Sequence, residues 1–413
     1  MKSNPTPAIP DKPITKILLL LKNTDGFLNK YLIWRVLKDI KAPIIIFFIT
    51  RICLSLAMYF GLILFAQMGA HVQPAPFTDN LFLSSLARWD TGHYSQIVQE
   101  GYKEFGKTPF FPLHPFLGMI TNIFIQDPIL ALIINANLFF LIALIVFYMI
   151  VKTKFGDEPL ADRSVFYLSI FPTSFFFSCG LSESAFLLMS LLAFYFTEKE
   201  KWWWAGFFGI LTTLTRSAGF LIAVPLILIY LSKIKFDLKK IRISILPLLF
   251  IPSGLLLFMG LLMLYGRGPL DFITAGQQAW PRFFTWPWWD LFRSIGNLSN
   301  FSFDMFLAGN FPVRMLAGIF LVSAFLILSI VTIFKTDPAY GIYSFISIIF
   351  FLSNPAKEWQ LYGDMRYIAV LFPIFILLAQ YGKNRWINYI IIVLFMLFLS
   401  LFATYNAMGG WIS

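Results

Sequence analysis

The sequence is short of charge. Asp, Glu, Lys and Arg make up only 13% of its 413 residues, against 58% hydrophobic, and a soluble fold of this size would lack the polar surface to cover itself. A water-soluble globular architecture is therefore excluded. Cysteine and histidine are scarcer still, at 2 and 3 residues. Cys53 and Cys179 stand in apolar segments with no CxxC spacing and no histidine beside them, which leaves no disulfide framework and no zinc motif. Long polar stretches, low-complexity tracts and solenoid periods are also missing, so nothing interrupts a single membrane domain. At the N-terminus the apolar run Ile17–Leu21 is too short for a secretory core and no small-residue cleavage site follows it.

What the chain has is hydrocarbon. Spans are expected near 43–68, 129–151, 164–180, 183–198, 203–217, 218–232, 243–265, 309–334, 340–353, 367–382 and 387–405, about eleven in all. Segment 111–126 is treated differently, because its helix would reach roughly 24 Å against a hydrocarbon core of about 30 Å. It is read as lying on the outer surface or dipping partway in. The formal charge of +11 then gains a direction. About 21 of the 32 Lys and Arg fall in the N-terminal segment and the short loops of one side, the positive-inside signature rather than a nucleic-acid face. Residues 1–42 read as a cytoplasmic interfacial segment and 43–413 as one transmembrane domain. The other side carries two long loops, 69–128 and 266–308, and a short one at 354–366, rich in Trp, Phe, Tyr and Pro.

The first long loop holds Arg88-Trp89-Asp90-Thr91-Gly92-His93-Tyr94, then Gly101-Tyr102 and Phe110-Phe111-Pro112-Leu113-His114-Pro115. On a helix over 84–99, Asp90, His93 and Tyr94 share one face, so a carboxylate and an imidazole would point together as an acid–base pair. The same spacing also fits a helix cap or an ion pair between Asp90 and a nearby arginine. Glu183 opens a span just after Gly180, where Ser182 as a cap and the helix dipole would account for it. Arg216 and Arg366 stand at span ends on the outer side, where a lipid phosphate would lie, or where an arginine would snorkel. Arg51, about seven residues into the first span, reads as a snorkelling arginine. The Trp286, Trp288, Trp289 cluster reads as an aromatic belt.

These segments resemble, in order, the PIG-V family, the mannosyltransferases that act on GPI anchors, and its bacterial relatives. The run from Arg88 to Pro115 is similar to the family's first luminal loop. Leu181-Ser182-Glu183-Ser184-Ala185-Phe186, Trp204-Ala205-Gly206, Leu214-Thr215-Arg216-Ser217-Ala218-Gly219, Pro269-Leu270-Asp271-Phe272, Gln277-Gln278-Ala279-Trp280-Pro281-Arg282, Arg366-Tyr367 and Phe372-Pro373 follow the family's later segments. Leu181 and Ser182 depart from it, since the family has Tyr and Thr before the glutamate. The resemblance implies an all-α polytopic bundle of the GT-C type with juxtamembrane helices in its first outer loop. It implies transfer of a hexose, mannose foremost, from a polyprenyl-phosphate donor to a hydroxyl of a glycan or glycolipid acceptor. Transfer would invert the configuration on the non-cytoplasmic face of a membrane, the bacterial inner membrane foremost. Asp90 would be the catalytic carboxylate. Arg88, Trp89, His93, Tyr102, His114, Glu183, Arg216, Gln278, Trp280, Arg366 and Tyr367 would contact substrate. Some enzymes of this architecture hold a divalent ion between outer-loop carboxylates, for which Asp79, Asp90, Glu100, Glu104 and Asp364 are available here, but no ligand spacing singles out a site; no obligatory metal or other cofactor is expected, and no nucleic-acid partner. The alternative from another class is a transporter of lipid-linked saccharides, which would call for internal repeats and midplane polar groups.

Overall fold

The computed structural model describes residues 40–68, 78–298, 300–302, 304–305 and 312–412. The expected interfacial segment at 1–42, apart from its last three residues, lies outside the described residues, as does the start of the first long loop.

An apolar chain in hydrocarbon must satisfy its backbone within itself, and helices do so locally. The described residues accordingly form helices: α1 (Lys41–Gln67), α2 (Leu81–Leu86), α3 (Asp90–Glu100), α4 (Leu113–Ile125), α5 (Pro128–Phe155), α6 (Glu158–Ser169), α7 (Glu183–Glu198), α8 (Trp202–Thr215), α9 (Ala223–Lys233), α10 (Leu246–Leu249), α11 (Ser253–Leu264), α12 (Asp271–Ala279), α13 (Trp289–Leu298), α14 (Val313–Lys335), α15 (Pro338–Leu352), α16 (Asp364–Ile368), α17 (Phe372–Tyr381) and α18 (Arg385–Ala407). Among the described residues there is no strand, only an isolated bridge between Arg282 and Ala356.

Four helices, α1, α5, α14 and α18, are long and apolar enough to cross a membrane alone. The pair Ile243–Leu249 and Ser253–Leu264 reaches the same length only as a broken span bent by 51°; Pro252 at the break has no N–H to continue the ladder. The chain is thus an all-α, multi-span membrane protein. Helix starts repeat one local device. Asp127, Asp157 and Asp337 each accept from backbone N–H groups of α5, α6 and α15, with proline at the first or second helical position. Segment 111–126 does form a single short helix, α4.

The expected span 164–180 is not one helix. α6 stops at Ser169, and a 3-10 turn follows at Ser174–Phe177, because Pro172 disfavours helix in the residue before it and cannot donate a backbone bond. Irregular backbone at this depth has to be buried in protein, and Phe171, Phe175, Phe176 and Phe177 are all buried. The freed carbonyls are met from α1. Arg51 donates through Nη1 to Ser174 O at 2.9 Å and through Nη2 to Ser169 O, with its guanidinium over the Phe140 ring at 4.9 Å. Arg51 is 4% exposed, so it does not snorkel as its sequence position suggested; the broken span supplies acceptors closer than the membrane surface. Thr173 Oγ1 donates to Met365 O at 2.9 Å, tying the break to α16.

Arg51→Met should leave the Ser174 carbonyl without its donor and destabilise the protein by about 2 kcal/mol. Thermal unfolding in detergent checks this; a melting temperature equal to or above wild type would contradict it.

Candidate active site

The segment that carries Asp90 is fastened on two sides. Arg88 donates to Ala407 O and the Trp89 indole Nε1 donates to Asn406 Oδ1 at 3.2 Å, both at the end of α18. Thr91 Oγ1 donates to Cys179 O at 2.6 Å on the other side. Between them Trp89 adopts φ 53°, a conformation rare for a bulky residue, and its ring meets Trp411 edge-on at 4.8 Å. The turn sets Asp90 at the first residue of α3, where the positive end of the helix dipole favours a carboxylate.

Three further helix ends deliver the partners. α7 begins at Glu183, without the expected cap from Ser182. α8 ends at Thr215, so that Arg216 leaves the helix in an extended conformation. α16 supplies Arg366. The four side chains form one chain of ion pairs. Arg366 Nη1 donates to Asp90 Oδ2 at 2.5 Å, Arg366 Nε donates to Glu183 Oε1, and Arg216 Nη1 donates to that same oxygen. Two carboxylates against two guanidiniums leave the cluster neutral, the condition under which buried charges are tolerable. Glu183 Oε2 is buried with no hydrogen-bond partner among the described residues.

Exposure separates the roles available to these groups. The Glu183 side chain is 0% exposed and Arg366 7%, whereas Asp90 and Arg216 are each 18% exposed. Glu183 lies behind the other three, which line a cavity of about 620 Å³, within the size range of small-molecule sites. Its walls bring together Asp90, Tyr94, Arg216, Trp280, Arg366 and Tyr367. Arg216 lies over the Tyr367 ring at 4.7 Å. Burial pushes the Tyr94 hydroxyl up to about 12.

Other residues singled out in the sequence lie elsewhere. His93 shares a helix face with Asp90, yet the two do not pair: Lys107 Nζ donates to His93 Nδ1 at 3.0 Å and the ring stacks on Phe110 at 4.7 Å. Burial and the adjacent ammonium lower the imidazole's proton affinity. Helical spacing brought the two side chains to one face without fixing which neighbour each would take, and the arginine took the carboxylate. His114 is fully buried, its Nε2 donating to Gly180 O at 2.9 Å. The Tyr102 hydroxyl donates to Phe110 O at 2.6 Å from the core. Arg88, Trp89 and Gln278 do not line the cavity; Gln277, one residue earlier, does. Arg282 lines it but spends its guanidinium on Asn354 O at 2.7 Å and Tyr362 O at 3.2 Å.

Two further features carry no motif that announces them. Tyr362 and Trp411 complete the aromatic wall, stacked at 5.1 Å. Behind it Asp364 and Asp290 are buried near one another. Asp290 Oδ2 accepts from Leu361 N at 2.8 Å, while burial, and then the Asp290 charge, push the Asp364 carboxyl up to about 8. Carboxylates this far apart in sequence give no motif. Among the described residues no group of three or more His, Cys, Asp or Glu could hold a metal ion.

No family model matches the chain. It is similar to GPI mannosyltransferase 2 of Schizosaccharomyces pombe, at 25% identity over 167 residues, covering 40% of this chain and 36% of that protein. The match thus spans about a third of the relative's length. Among solved structures, the Archaeoglobus fulgidus oligosaccharyltransferase in complex with zinc and sulfate gives a TM-score of 0.42 at 14% identity, covering 87% of this chain and 52% of that one. The same organism's enzyme with an inhibitory peptide and a dolichol-phosphate gives 0.42 at 14%, covering 88% and 55%. Likeness at that level carries no weight for fold or chemistry. The sequence match to a mannosyltransferase agrees with the resemblance to the PIG-V family seen in the motifs.

Asp364 sets a pH dependence. Its carboxyl titrates at about 8 in the fold against an ordinary 3.8, so the unfolded chain holds fewer protons than the folded one between those values. Stability should therefore fall as pH rises through that window and level off above about pH 8. Melting temperatures measured from pH 6 to pH 9 should decline in wild type and decline less in Asp364→Asn; identical slopes would contradict the assignment.

Proposed function

We propose that the protein is a membrane glycosyltransferase of the GT-C type that moves a hexose, mannose foremost, from a polyprenyl-phosphate donor to a hydroxyl of a glycan or glycolipid acceptor. The observation that carries the reading is the ion-pair chain Asp90–Arg366–Glu183–Arg216 opening on an aromatic-walled cavity. In this reading the acceptor oxygen attacks the anomeric carbon as the carbon–oxygen bond to phosphate breaks. Asp90 takes the hydroxyl proton, and the bonding electron pair leaves on the phosphate, giving polyprenyl phosphate. One displacement inverts the configuration.

Each group has a physical task. Arg366 holds one carboxylate oxygen of Asp90 and so directs the other toward the acceptor, a positioning role. Arg216 faces the cavity with only one carboxylate partner and can take the charge that develops on the leaving phosphate. Glu183 fixes both guanidiniums and needs no substrate contact to do so. Trp280, Tyr362 and Tyr367 offer faces for a pyranose ring. The charge asymmetry of the loops supports a site on the non-cytoplasmic side, and the bacterial inner membrane fits the family resemblance. The mannosyltransferase match supports the sugar.

Purified protein in lipid, given radiolabelled polyprenyl-phosphate mannose or glucose, tests this. Asp90→Asn keeps the side-chain shape without the base and should lower kcat by about a thousandfold. Arg216→Gln should raise KM for the donor and lower kcat together, since it serves both ground state and transition state. Asp90→Asn retaining wild-type turnover would remove it from the mechanism. No transfer from any polyprenyl donor would move the reading to a transporter.

A further inference from the structure

Tyr94 lines the cavity but takes no part in the ion-pair chain. It lies one helical turn beyond Asp90 on α3 and is only 4% exposed. Phe110 meets its ring edge-on at 5.2 Å and His114 at 4.9 Å, and His114 is itself tied to Gly180 O. The ring is thereby fixed, and with it the direction of the hydroxyl. Buried tyrosines elsewhere in the bundle find internal acceptors: Tyr102 bonds to Phe110 O, Tyr167 to Asn388 Oδ1 and Tyr340 to Glu198 Oε1. Thr215, on the same cavity wall, returns its hydroxyl to Leu211 O. The Tyr94 hydroxyl has no hydrogen-bond partner among the described residues, yet it is not sealed in the core and opens on the cavity.

Burying a hydroxyl without a partner costs stability, so one held rigid at a cavity wall suits a ligand that supplies the missing acceptor. Burial also keeps the group protonated well beyond neutral pH, which makes it a donor and not a base. The charges of Arg366, Asp90, Arg216 and Glu183 all bear on it. It thus stands near the proposed base and near the guanidinium proposed for the leaving phosphate, and a sugar in transfer has to lie between those two. The attacking oxygen is a poor acceptor for it, since a donor there would hold back the lone pair that forms the new bond. The same wall supplies a stacking surface: Phe110 meets Trp280 edge-on at 5.7 Å as well as Tyr94. A pyranose stacked on Trp280 projects hydroxyls from its rim, and Tyr94 offers one of them a donor.

We infer that Tyr94 is a specificity-determining residue, its hydroxyl donating to one non-reacting ring hydroxyl of the hexose held between Asp90 and Arg216. The inference rests on the glycosyltransferase reading and goes beyond it, since that reading gives the sugar faces to stack on and no polar contact for its hydroxyls. Stacking tolerates the loss of a hydroxyl. A fixed donor does not, because an analogue lacking the oxygen leaves the donor unpaired. Tyr94 thereby selects a fully hydroxylated hexose over its deoxy form, with Phe110 and His114 keeping the ring in place.

Binding to the full chain in nanodiscs tests this without turnover. The ligands are the polyprenyl-phosphate hexose that wild type prefers, mannosyl or glucosyl, the series of its monodeoxy forms, and bare polyprenyl phosphate. Tyr94→Phe removes only the hydroxyl and should melt at or above the wild-type temperature, since no internal hydrogen bond is lost. It should bind the hexosyl lipid about tenfold more weakly and bare polyprenyl phosphate unchanged. One monodeoxy form should be weakened by a similar factor in wild type and bind variant and wild type alike, which marks the contacted hydroxyl. A loss shared by the bare lipid, a loss of the same size across every monodeoxy form, no loss at all, or an early-melting variant would each overturn the proposal. Wild type binding bare lipid as tightly as either hexosyl lipid would instead sink the glycosyltransferase reading, and Tyr94 would fall with it.

Discussion

One carboxylate oxygen, Glu183 Oε1, accepts from two guanidiniums, and the arrangement of the site follows from that constraint. Removing a buried carboxylate from between two arginines leaves uncompensated charge, which is costlier than having no pair at all. Glu183 therefore acts as an anchor at the start of α7 to which α8 and α16 are both tied. Asp90 joins through Arg366, so the position of the proposed base depends on an atom it never touches. The orphaned Glu183 Oε2 fits this assignment, since the geometry that lets one oxygen serve two arginines turns the other toward the interior.

The same logic explains how a membrane protein tolerates a break at depth. Pro172 ends α6 early, and the exposed carbonyls need donors that hydrocarbon cannot supply. Arg51 reaches them from α1. The broken stretch then runs on through Cys179 and Gly180 to Glu183, and Thr91 and His114 bond to its carbonyls. Irregular backbone is thus gathered in one place, where three elements can satisfy it, and that place adjoins the site.

Much of this was legible in the sequence, though unevenly. Long apolar runs identified α1, α5, α14 and α18 because length and composition alone decide them. Asp90 and Tyr94 of the Arg88–Pro115 run line the cavity, and Asp90, Glu183, Arg216 and Arg366 are joined in one chain of ion pairs beside it. Their partnerships were not legible. The i, i+3 spacing of Asp90 and His93 fixes a shared face but not the neighbour from a distant helix that claims the carboxylate. Register within a loop is equally silent, so Gln277 rather than Gln278 faces the cavity. His114 and Tyr102 stand in conspicuous motifs for packing reasons: both bond to backbone carbonyls inside the core. Arg51 was misplaced because snorkelling is judged from depth, whereas the acceptors that hold it come from residues more than a hundred positions away.

The aromatic loop has a mechanical side. Arg293 on α13 donates to Ala356, Lys357 and Trp359 carbonyls, and Arg282 to those of Asn354 and Tyr362. Phe292 and Ile295 of the same helix, with Trp286 and Trp288 just before it, stay exposed, an apolar face suited to the lipid headgroup boundary. The segment gripped in this way leads directly into Arg366. Two arginines of the aromatic loop thus brace the backbone that carries the guanidinium paired with Asp90, so that pairing depends on a segment with no residue in the ion-pair chain.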